Sequence, residues 1–375
     1  MTWLERINED PFAAALVVTV AVLVGLVFIN LLWLVGRALH GAHVQRLRDA
    51  FWADLGREVV GAIGNPANEA LWLSRARVFR PDVLRHCLNE YMIRTSGDYR
   101  EGLAHLYRTL GLLDGDLAQL TSWRWKNRMQ ALRRLATVVT PKHRDAILSL
   151  ADEGGEIRLL VAQIIGRIGS ADDVTKLLCT WKITSRLSEY PVHVMVDSMA
   201  PSTHRAVLMR WGEIPSPEVQ RIVLGTASRI VPGACAIILP QAALNPSVEV
   251  RIAACHAGGA MTGADTCALL FCLAKDPAWE VRAQATKALS SHRTAAVADL
   301  LTESLCDSNF WVRQNAAISL GQFGTEGINR LREVTSRVGD RYARDAAEHV
   351  LTELAMMHPG STPVSVAPTF APGVS

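Results

Sequence analysis

Between Leu117 and Arg144 the chain places seven basic side chains, Arg124, Lys126, Arg128, Arg133, Arg134, Lys142 and Arg144, and no acidic one. Trp123 and Trp125 stand inside the run. Cationic groups interleaved with indoles suit the docking of an anionic surface, whether lipid headgroups or an acidic protein face. On a helix opening near Lys126, the residues Met129, Leu132, Leu135 and Ala136 share an inward stripe, whereas Lys126, Gln130, Arg133 and Thr137 fall outside it. Trp123, Arg124, Trp125, Lys126, Arg133 and Arg134 are therefore the candidate docking residues. The competing reading is a solvated face whose tryptophans pack on neighbouring helices.

Other chemistry finds little support. None of the eleven histidines is followed by Glu, and His193, His256 and His349 stand singly in helical patterns, so neither a metal site nor a cofactor is expected. No Ser-His-Asp or paired-carboxylate grouping can be assembled from local spacing, and no catalytic residue is assigned. The seven cysteines, Cys87, Cys179, Cys235, Cys255, Cys267, Cys272 and Cys306, form no Cys-x-x-Cys pair and read as reduced, buried thiols. A formal net charge of only +3 gives no ground for a nucleic-acid partner.

A second set of charged residues is periodic. Arg251, Arg282, Arg313 and Arg344 are each 31 residues apart, with Ala254, Ala285, Ala316 and Ala347 three residues after them. Asp276 and Asp307 stand six residues before Arg282 and Arg313, as Asp152 does before Arg158. Arg128 precedes Arg158 by 30 residues, and the 93 residues from Arg158 to Arg251 hold room for two degenerate copies, near His193 and Gln220. A fixed step of this length with helical spacing inside it marks an array of helix pairs, each burying its apolar face against the next. The arginines read as a structural ladder, each guanidinium reaching an Asp or a carbonyl of its own or the adjacent copy.

The motifs resemble the HEAT repeat, in particular the short variety of the phycobilisome lyases. Asn245-Pro246 and Asp276-Pro277 match its opening, and Val250-Arg251, Val281-Arg282 and Val312-Arg313 its centre. Leu320-Gly321 with Gly324, and Ile165-Gly166 with Gly169, match its close. The prolines suit a first helical turn, and the four glycines suit helix ends that need positive φ. The resemblance implies an all-α fold, an α-solenoid of stacked HEAT-like helix pairs over residues 120–356.

Residues 12–36 are apolar and long enough to span a bilayer, so a single transmembrane helix is expected before the solenoid. Arg37, Arg46 and Arg48 follow it, against Arg6 alone before it, which places residues 1–11 outside and the solenoid in the cytoplasm. Residues 37–119 read as juxtamembrane helices and an N-terminal cap, with Val44, Leu47, Phe51, Leu55 and Val59 on one packing stripe. Residues 357–375, rich in proline and uncharged from His358 onward, read as a disordered tail. The function expected from this organisation is a scaffold at the bacterial inner membrane that binds a membrane-associated protein partner. By resemblance to bacterial HEAT proteins with one anchor, that partner would belong to a membrane glycosyltransferase or polysaccharide-export complex. The phycobilisome-lyase likeness implies the alternative, a lyase-type enzyme or chaperone of a chromophore-bearing protein.

Overall fold

The computed structural model describes residues 11–337 and 339–357, and every regular element among them is a helix. The N-terminal segment before Pro11 and the proline-rich tail from His358 lie outside the described residues. Helix α1, Pro11–Phe51, carries the apolar segment directly into the charged one without a break. From Val18 to Leu39 every side chain is exposed, so no other described residue covers this apolar surface. It is the one described helix long and apolar enough to cross a membrane.

The stripe predicted after Val44 then turns inward. Phe51, Leu55 and Val59 are buried, and a single π-helical turn over Trp52–Gly56 ends the long helix. The Phe51 ring meets Trp72 and Phe79 edge to face at 6.5 and 5.6 Å, and the Trp72 indole donates to the Leu55 carbonyl at 3.2 Å. Six further helices complete this first compact unit, which ends at Val139. They are α2 (Val59–Ala62), α3 (Pro66–Ala76), α4 (Pro81–Arg94), α5 (Asp98–Thr109), α6 (Leu112–Gln119) and α7 (Trp125–Val138). Asn65 caps α3 by accepting from the Ala67 amide at 3.1 Å. Because α7 packs on α5 and α6, it belongs with these helices, beyond the boundary at residue 120 expected from the repeat pattern.

The second unit opens with a short helix, α8 (Arg144–Leu148), and continues as pairs. The first members are α9 (Gly155–Ile168), α11 (Arg186–Asp197), α13 (Pro217–Ile230), α15 (Val248–Gly259), α17 (Trp279–Ala288), α19 (Phe310–Gly321) and α21 (Arg341–Met357). Between them run α10 (Ala171–Thr180), α12 (Pro201–Met209), α14 (Pro232–Ala243), α16 (Ala264–Leu273), α18 (Ala295–Ser304) and α20 (Thr325–Arg337). Each odd helix from α9 to α21 packs on the next odd one, while α10, α12, α14 and α16 form a second row and α18 packs on α20. This is an α-solenoid of stacked helix pairs. Ala254, Ala285, Ala316 and Ala347 are completely buried, because the odd helices approach closely where the side chain is a single methyl.

Starts at Trp125, Gly155, Arg186, Pro217, Val248, Trp279, Phe310 and Arg341 reproduce a step of 30 and then 31 residues, and the two degenerate copies are α11 and α13. Several local expectations need correction. Only Gly324, at φ +65°, has the positive φ expected of all four motif glycines. Gly166 instead lies within α9, where a Cβ would run into the Met195 carbonyl of α11, and Gly321 lies against Val350 and Leu354. Pro246 and Pro277 precede their helices rather than opening them. Cys87, Cys235 and Cys255 are buried, but Cys179, Cys272 and Cys306 are exposed, since apolar residue type alone does not fix which side of a helix pair faces water.

Candidate functional site

The periodic residues share one address. Arg128, Arg158, Glu189, Gln220, Arg251, Arg282, Arg313 and Arg344 are each the fourth residue of an odd helix. From there Arg251 places its guanidinium fork on Asp276 of the next copy, Nε to Oδ2 at 2.8 Å and Nη2 to Oδ1 at 2.9 Å. Its Nη1 donates back to the carbonyls of Asn245 and Pro246 at 2.9 and 3.1 Å. Arg282 repeats the arrangement with Asp307 at 2.8 and 3.0 Å and the carbonyls of Asp276 and Pro277 at 2.9 and 3.2 Å. Each of these aspartates also accepts an amide of its own loop, Ala278 or Asn309, at 2.8 Å. One carboxylate thus fixes its loop and locks it to the preceding copy.

The remaining positions vary this theme. Gln220 donates to the Ile214 carbonyl at 2.8 Å and accepts from Asn245 at 3.0 Å, a neutral version of the same rung. Arg313 donates to the carbonyls of Asp307 and Ser308 at 2.8 and 3.0 Å, and its guanidinium lies 5.1 Å from the Tyr342 ring centre. Arg158 donates to the Glu153 carbonyl at 3.2 Å and lies 5.7 Å from the Trp181 ring. Arg128 donates to the Ser122 carbonyl at 2.8 Å. Asp152 and Arg344 are exposed. Burial alone would raise the Asp307 carboxyl, but the Arg282 hydrogen bond, the Asn309 amide and the neighbouring arginine charges outweigh it and hold it below the usual carboxylate value.

The six candidate docking residues divide. Trp123 is 84% exposed and Trp125 50%, so neither packs as a core tryptophan, and the Arg124 guanidinium stacks 5.0 Å from the Trp123 ring centre. Lys126 and Arg133 are exposed as well. Arg134 is not, with only 18% of its side chain accessible. Its Nε and Nη2 both bond Asp116 Oδ1, at 3.0 and 2.8 Å, and Nη2 also reaches Gln119 Oε1 at 2.9 Å. Asp116 is fully buried, accepts the Tyr107 hydroxyl on its other oxygen and stands 3.3 Å from Arg85 Nε. Burial first, and then the Asp116 charge, push the Tyr107 phenol well above its usual pKa. The helical stripe of α7 placed Arg134 outside the core because the acid that draws it in stands on α6, out of sight of that stripe.

Sequence reasoning also passed over the openings of the odd helices. Trp279 and Phe310, exposed by 39% and 56%, occupy the first helical position, the one Trp125 holds in α7. Trp311 and Tyr342 occupy the second and are likewise exposed. Aligning the copies by their arginines would have shown aromatic residues recurring at this address. Beside them, Ile252, Ala283, Gln284, Lys287 and Asn315 line a depression of about 410 Å³ between α15, α17 and α19.

The sequence profile of the family described as HEAT repeats matches residues 268–352. No curated protein matches the chain. Among solved structures, E. coli YibA is 17% identical, with a TM-score of 0.36 over 69% of this chain and 97% of its own. Human deoxyhypusine hydroxylase, solved with glycerol, is 17% identical, with a TM-score of 0.27 over 64% of this chain and 94% of its own. Kap95p, solved with RanGDP, is 14% identical, with a TM-score of 0.39 over 82% of this chain and 48% of its own. Residues 268–352, from α16 into α21, therefore carry HEAT repeats, and the same 31-residue step continues on the N-terminal side of that match.

Proposed function

We propose that the chain is a membrane-tethered HEAT-repeat adaptor that holds a protein partner at the cytoplasmic face of a bacterial inner membrane. The observation that carries this reading is the set of exposed aromatic side chains at the openings of α17, α19 and α21: Trp279, Phe310, Trp311 and Tyr342. Soluble surfaces seldom leave several large aromatics uncovered side by side, and such residues supply most of the energy at protein interfaces. Residues 12–36 act as a single-pass anchor, supported by the uncovered apolar face of α1, and the arginines after Gly36 orient the solenoid inward. Trp123, Arg124, Trp125 and Lys126 offer a second contact, for an acidic partner face or for anionic lipid. A membrane-embedded glycosyltransferase or a polysaccharide-export assembly is the kind of partner that the repeat-plus-anchor organisation suits.

The test is affinity purification of the full chain from membranes in mild detergent, beside a variant carrying Trp279→Ala, Phe310→Ala and Trp311→Ala. A membrane protein enriched by the parent and depleted at least tenfold by the variant, at a melting temperature within a few degrees, is the expected result. Equal recovery by both would remove the aromatic openings from the interface.

A further inference from the structure

Within the first unit, α1, α4, α6 and α7 line an open cleft of about 740 Å³ whose wall is strongly basic. Arg48 comes from α1, Arg85 from α4, and Arg133 and Arg134 from α7, so four guanidinium groups converge on one space. Two carboxylates stand against them. Asp82 in the wall is engaged by Arg80 at 3.0 and 3.1 Å, and Asp116 lies beneath Arg85 and Arg134. Arg85 and Arg134 share the one Asp116 carboxylate and Arg48 has no ion pair among the described residues, so these three alone leave an excess of positive charge where an uncompensated charge is costly.

Three buried polar atoms in this wall have no hydrogen-bond partner among the described residues, Arg48 Nε, Arg85 Nε and Asn89 Oδ1, although Arg85 Nε stands 3.3 Å from the Asp116 carboxylate. Arg48 makes no ion pair among the described residues either, although α1 could present a neutral side chain at that position at no cost to the packing stripe. A buried donor left unmade is costly and is tolerated where a ligand or water completes it; the guanidinium N–H groups are such donors and suit an anion, whereas Asn89 Oδ1 is an acceptor and suits a hydroxyl or amine of the ligand. Arg134, by contrast, is pinned by Asp116 and Gln119, so part of the basic wall is held rigidly before anything binds.

We propose that this cleft binds a soluble phosphorylated anion of nucleotide size. Guanidinium groups recognise phosphate oxygens through paired N–H donors, and several of them suit a ligand with more than one phosphate. The volume lies within the roughly 300–1,000 Å³ of small-molecule sites and exceeds what a single phosphate ion would fill. On the reading of residues 12–36 as a membrane span, Arg48 stands roughly 18 Å further along α1. The headgroup zone is only about 5–8 Å deep. That distance favours a soluble ligand over a phospholipid headgroup.

The test uses the full chain in detergent, with ATP, GTP, pyrophosphate and inositol hexakisphosphate as probes at matched ionic strength and inorganic phosphate as the control. At least one polyphosphate should raise the melting temperature in a concentration-dependent way and show saturable heat in titration calorimetry. Arg48→Gln should weaken that binding at least tenfold and leave the ligand-free melting temperature unchanged, because Arg48 has no ion-pair partner among the described residues to lose. Arg133→Gln serves as the second variant if the first folds poorly. Absence of binding by all four probes above the phosphate control overturns the proposal, as does equal binding by both variants. Co-sedimentation with phosphatidylglycerol vesicles, but not phosphatidylcholine, that is lost on Arg48→Gln while no soluble probe binds would assign the cleft to lipid and equally overturn it.

Discussion

Asp307 shows how much one side chain carries in this array. It receives the Arg282 fork, accepts the Asn309 amide and lends its carbonyl to Arg313. Arg282→Ala removes the fork and leaves a half-buried carboxylate behind, which should lower stability by about 1–3 kcal/mol in chemical denaturation. Arg344→Ala, at the same helical address but exposed, should change it by less than about 0.5 kcal/mol. Acid should act through the same rung. Because the folded Asp307 carboxyl sits below its ordinary value, its contribution is present above the unfolded value of about 4 and is lost as the pH falls below that and through the lower folded value. Melting curves from pH 5 to pH 3 should therefore drop more steeply for the parent than for Asp307→Asn, and parallel slopes would show that the rung contributes nothing there. The Arg and Asp types were legible from their spacing; which carboxylate each fork would take was not. Asp276 stands six residues before Arg282 in sequence, yet gives its carboxylate to Arg251 and only its carbonyl to Arg282. A periodic sequence shows the members of a rung but not whether it closes within a copy or between copies.

Helices were the best-read level, because the 31-residue step survives even where the arginine is replaced by Glu189 or Gln220. What the step could not disclose is how near two helices come. Gly166 in α9 lies where a Cβ would press into the Met195 backbone of α11, a contact that neither backbone can relieve by rotating a side chain. Gly225 in α13 is exposed and a Cβ there meets nothing within 4 Å. The two glycines should respond oppositely to alanine. Gly166→Ala should cost about 1–3 kcal/mol by overpacking, whereas Gly225→Ala should gain about 0.5–1 kcal/mol from the lower entropy of the unfolded chain and better helix propensity. A gain at both positions would mean that α9 and α11 can separate freely. The same limitation explains Arg134: the stripe on α7 was right for Met129, Leu132 and Leu135, and it failed where a buried acid on a neighbouring helix overrode it.

For the whole molecule, the decisive feature is that α1 has two unlike halves on one continuous helix. Its apolar half is uncovered, while its second half ends in the core through Phe51. A span docked only by a flexible linker could be cut anywhere after the apolar run; here the cut must fall before the packing stripe begins. Removing residues 1–36 should leave a chain that is helical by circular dichroism and monodisperse without detergent, since the first unit keeps Phe51, Leu55 and Val59 in place. Removing residues 1–56 takes Phe51 and Leu55 from against Trp72 and Phe79 and exposes that aromatic cluster, and the loss of one large buried side chain alone costs roughly 3–5 kcal/mol. That shorter fragment should aggregate or melt at least 10 °C lower, the lower bound expected when several such contacts go together in a unit of this size. If the two truncations behave alike in sedimentation and melting, the second half of α1 is part of the tether alone. If they differ as expected, the second half of α1 is part of the first unit's core, and the apolar half continues from that core along one unbroken helix.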